Sequence, residues 1–199
     1  MYSLPQCTQL KRQIPKKKVF EKFEWNTAQR DSFDADVARM DIVAVVSIKT
    51  LPALSEGVDV KEFYVLNVQL KRKDYNPKNI ELLTKLIPQK LVFALLYENE
   101  VQFAVYHTEL VKSDWQNAEE AKLQVQGLNV DAVWENIVKN IGQITIQEGS
   151  TLTEQIAVNI QKDKLLAQIA SLEKKMLNEK QPRRKREYFE QIKKLKNQL

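Results

Sequence analysis

Residues 91–107 read LVFALLYENEVQFAVYH, in which the polar residues Glu98-Asn99-Glu100 separate two apolar runs. Each run is rich in β-branched and aromatic residues, which favour strands, and is about as long as an average strand. A short loop is enough to join two antiparallel neighbours. Leu91–Tyr97 and Val101–His107 are therefore predicted to form a β-hairpin.

Two more strands are predicted upstream of this hairpin. Residues 42–48, IVAVVSI, have the β-branched content of a buried strand. Phe63–Lys71 alternates in polarity, and the face made by Tyr64, Leu66, Val68 and Leu70 is predicted to be the core face. Leu123–Val125 is a candidate for a short edge strand.

Helical patterns lie before, between and after these strand pairs. Thr27 is a candidate N-cap for a short helix over Ala28–Val37, and Asn76-Pro77 is typical of a helix start. Asn129 precedes a helix whose apolar positions keep helical spacing without interruption. This order predicts an α+β body over residues 1–149, with a mixed, mainly antiparallel sheet of four or five strands.

Residues 150–199 have the pattern of a coiled coil. Thr151 and Glu154 have capping-box spacing, and apolar seams repeat at 4-3-4 on both sides of Pro182. The two seams are out of register with each other, and proline costs little at a helix start. We therefore predict an antiparallel helical hairpin that turns at Gln181-Pro182; a proline-kinked single helix that dimerises is the alternative. The seams are Leu165, Ile169, Leu172 and Met176, then Tyr188, Ile192, Leu195 and Leu199.

The positive charge of the chain is concentrated in this tail. Residues 1–150 hold 19 Lys and Arg against 20 Asp and Glu, whereas residues 151–199 hold 12 against 6, a net charge of +6. Five of these cations surround the predicted turn, where they could contact nucleic-acid phosphates, contact a protein partner or simply keep the hairpin solvated. Tyr188 could stack on an exposed base. The five cations are Lys180, Arg183, Arg184, Lys185 and Arg186.

Composition argues against several classes of protein. The four glycines stand apart, so no phosphate-binding glycine loop can be identified. One cysteine, Cys7, and one histidine, His107, make neither an internal disulfide nor a zinc cluster, and no metal or cofactor is predicted. The longest apolar runs, Ile42–Val46 and Leu91–Leu96, are too short to span a membrane, and the start of the chain lacks the pattern of a signal peptide. We expect a cytoplasmic protein.

A few residues resemble parts of catalytic sites. Gln69-Leu70-Lys71 has the Q-x-K form of restriction-type nucleases, and Asp41 opens the preceding strand. A single carboxylate holds Mg²⁺ poorly, so Asp41, Gln69 and Lys71 are only weak candidates for a metal-dependent nuclease site. His107 could act as a general base, but no nucleophile motif accompanies it. The Lys16-Lys17-Lys18 triplet is a possible second phosphate contact. These residues leave enzymatic activity uncertain, and a protein without enzymatic activity is favoured.

Short motifs along most of the chain resemble an uncharacterised prokaryotic family, the domain of unknown function 4391. They include residues 177–181, followed by Arg183, Lys185 and Glu187, then Leu195-Lys196. Further motifs are Ile14-Pro15-Lys16, residues 60–65, Leu70-Lys71, Ile87-Pro88 and Gly127-Leu128.

The resemblance implies a companion of helicases and methyltransferases in restriction or anti-phage gene clusters. The predicted function is a non-enzymatic accessory subunit that binds such a partner protein, nucleic acid or both through its basic hairpin. The alternatives are a degenerate or cryptic metal-dependent nuclease and a module that forms homo-oligomers through the tail.

Overall fold

The strand-forming sequences come together in one mixed sheet. The computed structural model describes residues 1–146 and 149–198, in two compact units, Met1–Thr145 and Ile146–Leu199. The sheet lies in the first unit, and its strand order is β1-β2-β3-β4-β5-β6, with β7 also pairing with β5. The strands are β1 (Gln9–Gln13), β2 (Val37–Ser47), β3 (Glu62–Leu70), β4 (Lys90–Tyr97), β5 (Glu100–Tyr106), β6 (Leu110–Lys112) and β7 (Gln116–Asn117).

The α-helices of the described residues begin close to where their caps predict. Asn76 and Asn129 accept hydrogen bonds from the first-turn N–H groups of Lys78 and Ala132. The helix predicted from Thr27 starts at that residue, and its N-cap is Asn26, which forms a reciprocal capping box with Gln29. The helices are α1 (Lys16–Phe23), α2 (Thr27–Asp36), α3 (Pro77–Leu83), α4 (Val130–Gly142), α5 (Leu152–Asn178) and α6 (Pro182–Lys196). None of them is long and apolar enough to cross a membrane.

The α+β architecture with a mainly antiparallel sheet is confirmed. β3 and β4 pair in parallel, joined through α3, and the other strand pairs in the described residues are antiparallel. The sheet has seven strands, more than the four or five expected. β1 is exposed along its whole length, and β6 and β7 are very short, so these strands carry little hydrophobic pattern. Leu123–Val125 is not a strand, although Leu123 is buried and its N–H donates to the Tyr2 carbonyl.

The sheet is buried on both faces, which corrects the expectation of a single core face on β3. On one face, Leu66 and Val68 belong to a hydrophobic core that also contains buried residues of α1, α2 and α3. On the other face Phe63 and Val65 are fully buried, and the Phe63 ring lies 5.5 Å from the ring of Trp134 in α4. A strand with helices on both sides must be apolar on both faces, so its alternation predicts only part of its environment.

A buried carboxylate joins α2 to the connection between β3 and α3. The Asp36 side chain is 1 % exposed, and its Oδ1 lies 2.6 Å from Nε and 2.5 Å from Nη2 of Arg72. Its Oδ2 accepts hydrogen bonds from the Asn76 N–H at 2.9 Å and from the Asn79 amide at 2.7 Å. Both oxygens are therefore hydrogen-bonded, which makes burial of the charge tolerable.

We expect Asp36→Asn to lower the free energy of unfolding by about 2–4 kcal/mol, because it removes a buried charge and turns an amide N–H₂ toward existing donors. Asp34→Asn is the matched control on the same helix. Asp34 pairs with Lys16 at 2.6 Å, but its side chain is 43 % exposed, and such pairs contribute about 1 kcal/mol or less. Urea denaturation of both variants makes the comparison, and equal losses would contradict the role given to Asp36.

Candidate nucleic-acid interface

The second unit contains the predicted helical hairpin, which is confirmed. α5 and α6 pack together, with Ile169 and Ile192 each 5 % exposed. Lys196, at the end of α6, donates to Glu173 of α5 at 2.9 Å, as expected for helices that run in opposite directions. Leu199, the last residue of the predicted seam, lies outside the described residues.

The turn of the hairpin is held by one glutamate. The Glu179 Oε1 accepts hydrogen bonds from the backbone N–H groups of Lys180 at 2.9 Å and Gln181 at 3.0 Å. Pro182 then occupies the first position of α6, where its missing N–H has no consequence. The turn therefore has a defined geometry, and it places the cations around it on the ends of two ordered helices.

We call Lys180 and Arg183–Arg186 the basic tip. All five side chains are exposed. Arg183 lies 3.5 Å from Glu187, one helical turn away. Within residues 1–146 and 149–198, no carboxylate lies within ion-pair distance of the other four cations. The basic tip thus presents largely uncompensated positive charge to solvent.

The aromatic residue exposed near the basic tip differs from the predicted one. Tyr188 is half-buried, whereas its neighbour Phe189 is 54 % exposed. The 4-3-4 spacing already indicates this, because a seam residue faces the partner helix and the residue after it is rotated by about 100°. Phe189 is therefore the better candidate for stacking on a base.

The nuclease candidates are only partly brought together. Asp41 lies opposite Asn67 on β3, and Gln69 is two residues farther on the same face. The Asp41 carboxylate pairs with Arg39 at 2.7 Å, and Lys71 follows the end of β3 with an exposed side chain. Among the described residues, no group of three or more His, Cys, Asp or Glu side chains could hold a metal ion.

The other candidate residues are placed without an evident reactive arrangement. Partial burial, together with the positive charge of Lys90, lowers the pKa of His107 despite an opposite effect of Glu135. Lys16 pairs with Asp34 at 2.6 Å and Lys17 with Glu21 at 3.7 Å, so part of the lysine triplet is compensated. Cys7 is an exposed thiol.

Two loops of the first unit carry the most exposed large apolar side chains on the described chain. Val58 is 83 % exposed and Leu128 is 87 % exposed. The Ser55 N–H donates to the Leu128 carbonyl at 2.9 Å, and the Asp131 carboxylate accepts from the N–H of Val58 at 2.5 Å. We call the segments around Val58 and Leu128 the loop pair; sequence analysis did not identify it.

A glycine permits this close approach within the loop pair. A Cβ added to Gly57 would lie 2.3 Å from the Val60 carbonyl oxygen and 2.7 Å from Oδ1 of Asp131. Oδ1 of Asp131 also accepts a hydrogen bond from the Val60 N–H at 2.7 Å. The exposed apolar side chains of the loop pair thus lie on a backbone that hydrogen bonds constrain.

The chain matches the family model described as domain of unknown function (DUF4391) over residues 3–199. The protein belongs to this family. The match covers the sheet and the hairpin alike, so the basic tip and the loop pair both lie within the DUF4391 region. No curated protein and no solved structure matches the chain.

The carboxylate that holds the loop pair has a lowered pKa. Desolvation would raise the pKa of Asp131, but hydrogen bonds from three backbone N–H groups, together with Lys61, bring it below the ordinary value. A group whose pKa is lower in the folded state contributes stability above its ordinary pKa, and this contribution is lost as the pH falls through the folded-state value. The three donors are Val58, Asp59 and Val60.

We therefore expect the amide proton signals of Val58 and Val60 to shift together in an NMR titration toward acid. The midpoint should lie below the ordinary Asp pKa of about 4. Asp131→Asn should remove this step, whereas Asp59→Asn, which keeps the carboxylate of Asp131, should leave it in place. A midpoint at or above the ordinary value would argue against the assigned role of Asp131.

Proposed function

We propose that the protein is a cytoplasmic, non-enzymatic accessory subunit of a prokaryotic restriction or anti-phage system, which contacts nucleic acid through the basic tip. One observation carries the nucleic-acid contact: five exposed cations surround one ordered turn, and only Arg183 has a carboxylate partner among the described residues. Lys and Arg that contact phosphates release condensed counterions, which drives binding at low salt.

The position of the cations supports this function over simple solvation. Arg183 and Arg184 lie in the first turn of α6, which contains no acidic residue. The N-terminus of a helix carries partial positive charge, so cations there destabilise the helix, by about 0.3–1 kcal/mol each. Solubility could be achieved equally well by Asp or Glu at these positions. An anion bound at the basic tip would relieve the repulsion, and Arg can hold a phosphate with two parallel hydrogen bonds.

The place in a restriction or anti-phage system rests on the family resemblance, which implies a helicase or methyltransferase as partner. The loop pair supports a protein contact of this kind. Val58 and Leu128 are far more exposed than apolar side chains usually are, and hydrogen bonds constrain their backbone. Rigid, exposed apolar side chains are typical of residues that become buried in a protein interface.

The nuclease alternative receives less support from the arrangement on β2 and β3. A metal-dependent nuclease needs carboxylates that converge on a cation. Asp41 instead contacts a guanidinium, that of Arg39. The accessory role is therefore the one we propose.

Charge reversal tests the basic tip. If all five cations contact phosphates of duplex DNA, log K should fall with log salt with a slope of about −4 to −5. Arg183, Arg184, Lys185 and Arg186 changed together to Glu should abolish this salt-dependent binding in fluorescence anisotropy with a labelled duplex.

The control for this test reverses equally many exposed lysines on the first unit. Lys11, Lys49, Lys78 and Lys85 are all exposed and lie outside the Lys16-Lys17-Lys18 triplet, and changing them to Glu alters the net charge by the same amount. This variant should keep most of the affinity and the slope. Equal loss in both variants would show that net charge, rather than the basic tip, drives binding.

The loop pair is tested by co-expression with a helicase or a methyltransferase, the two partner classes that the family resemblance implies. Val58→Asp combined with Leu128→Asp should reduce recovery of the partner at least tenfold in affinity purification, because both charges would be desolvated at the interface. Val158→Asp is the control, since Val158 is also exposed, at 59 %, but lies on α5. Undiminished recovery with the double variant would exclude the loop pair as the contact.

A further inference from the structure

Phe189 is an exposed aromatic side chain within a cationic helix face. Its 54 % exposure contrasts with the 5 % of Ile192, which belongs to the seam of the same helix. Residues three and four positions away on a helix are surface neighbours. For Phe189 these positions include Lys185, Arg186 and Lys193, all of which are exposed.

The same side of the hairpin is defined by a contact between the two helices. Lys196, seven residues after Phe189 and so on the same face of α6, donates to Glu173 of α5 at 2.9 Å. The side of the hairpin that carries Phe189 is therefore ordered across both helices. One aromatic ring, three uncompensated cations and a fixed lysine lie along about three turns of this surface.

We infer that this surface binds single-stranded nucleic acid, with an unpaired base stacked on the Phe189 ring and the neighbouring cations on the flanking phosphates. The inference rests on the proposed function of the basic tip and specifies its ligand. Every base has a flat π-face, so stacking requires an unpaired base but no particular sequence. A paired base inside a duplex keeps both faces covered by its neighbours, so the ring adds nothing to duplex binding.

Charge favours a nucleic-acid strand over a protein or a second copy of the chain. A protein interface buries an aromatic anchor among apolar neighbours and has few charged residues at its centre. Three of the four positions three or four residues from Phe189 are instead cations, Lys185, Arg186 and Lys193, which a second basic hairpin would repel. A strand of phosphates with exposed bases complements both the cations and the ring.

The experiment compares strand and duplex binding by the full-length protein. The probes are a short labelled oligothymidine strand and a blunt duplex of the same length, measured by fluorescence anisotropy at several salt concentrations. Phe189→Leu keeps an apolar side chain but removes the ring. It should weaken strand binding by roughly 5- to 150-fold, the range for loss of one stacked base, and leave duplex affinity and both salt slopes unchanged.

Two further variants complete the design. Phe189→Tyr should restore strand binding, because it restores an aromatic ring. Leu177→Ala is the matched control, since Leu177 is 74 % exposed near the same turn but is not aromatic, and it should bind the strand as the wild type does. A strand with 2-aminopurine should show fluorescence quenching on binding that is lost in Phe189→Leu.

The outcomes separate this inference from the proposed function. Unchanged strand affinity in Phe189→Leu, or an equal loss for strand and duplex, would overturn the stacking inference while the salt-dependent contact stands. A wild-type protein that binds neither probe at low salt would overturn both. If sedimentation shows a dimer that Phe189→Leu converts to a monomer with unchanged strand binding, Phe189 is a self-association residue and the inference is wrong.

Discussion

The bonds of the buried Asp36 carboxylate constrain the architecture of the first unit. Asp36 is the last residue of α2 and directly precedes β2. Its side chain binds Arg72, Asn76 and Asn79, and its carbonyl oxygen accepts the N–H of Lys71 at 2.8 Å. The end of one helix thereby holds the whole connection from β3 into α3. The chain crosses from β3 to β4 through α3, and this connection determines where the crossover begins. A crossover of this kind allows β4 to pair in parallel with β3.

The parallel pair explains why the sheet is covered on both faces. A crossover helix must lie against one side of the sheet, and α3 contributes Ile80 and Leu83 to the core there. Trp134 of α4 packs on the other side against Phe63. With helices on both sides, the interior of the sheet has few polar positions, and Asn67 is buried with its side-chain oxygen accepting the Tyr2 hydroxyl. The buried side chains of Asp36 and Asn67 thus form hydrogen bonds with other groups of the first unit.

The ion pairs of Asp36 and Asp41 in the first unit contrast with the cations of the basic tip in the second. In the first unit, Asp36 pairs with Arg72 and Asp41 with Arg39. At the basic tip, cations accumulate at the positive end of a helix, and only Arg183 has a carboxylate partner among the described residues. Uncompensated charge in an unfavourable position is the observation on which the proposed nucleic-acid contact rests. The inference about Phe189 rests on an exposed aromatic ring with cations at three of the four positions three or four residues away.

The sequence alone predicted the features that depend on neighbours along the chain. Asn76, Asn129 and the Thr151–Glu154 capping box begin their helices as expected, and the out-of-register seams around Pro182 predict the hairpin. Local periodicity carries this information, since caps and heptads act over a few residues. The location of the basic tip follows from the same argument.

Only the tertiary structure decided which residues meet across long separations. Asp36 lies 36 residues from Arg72, and β1 acquires its place by backbone pairing with β2, which depends little on side-chain type. The second buried face of β3 and the loop pair joined by Asp131 are likewise decided by packing. Such contacts form because buried charges and backbone groups must find partners, and the available partners are determined by the folded arrangement as a whole.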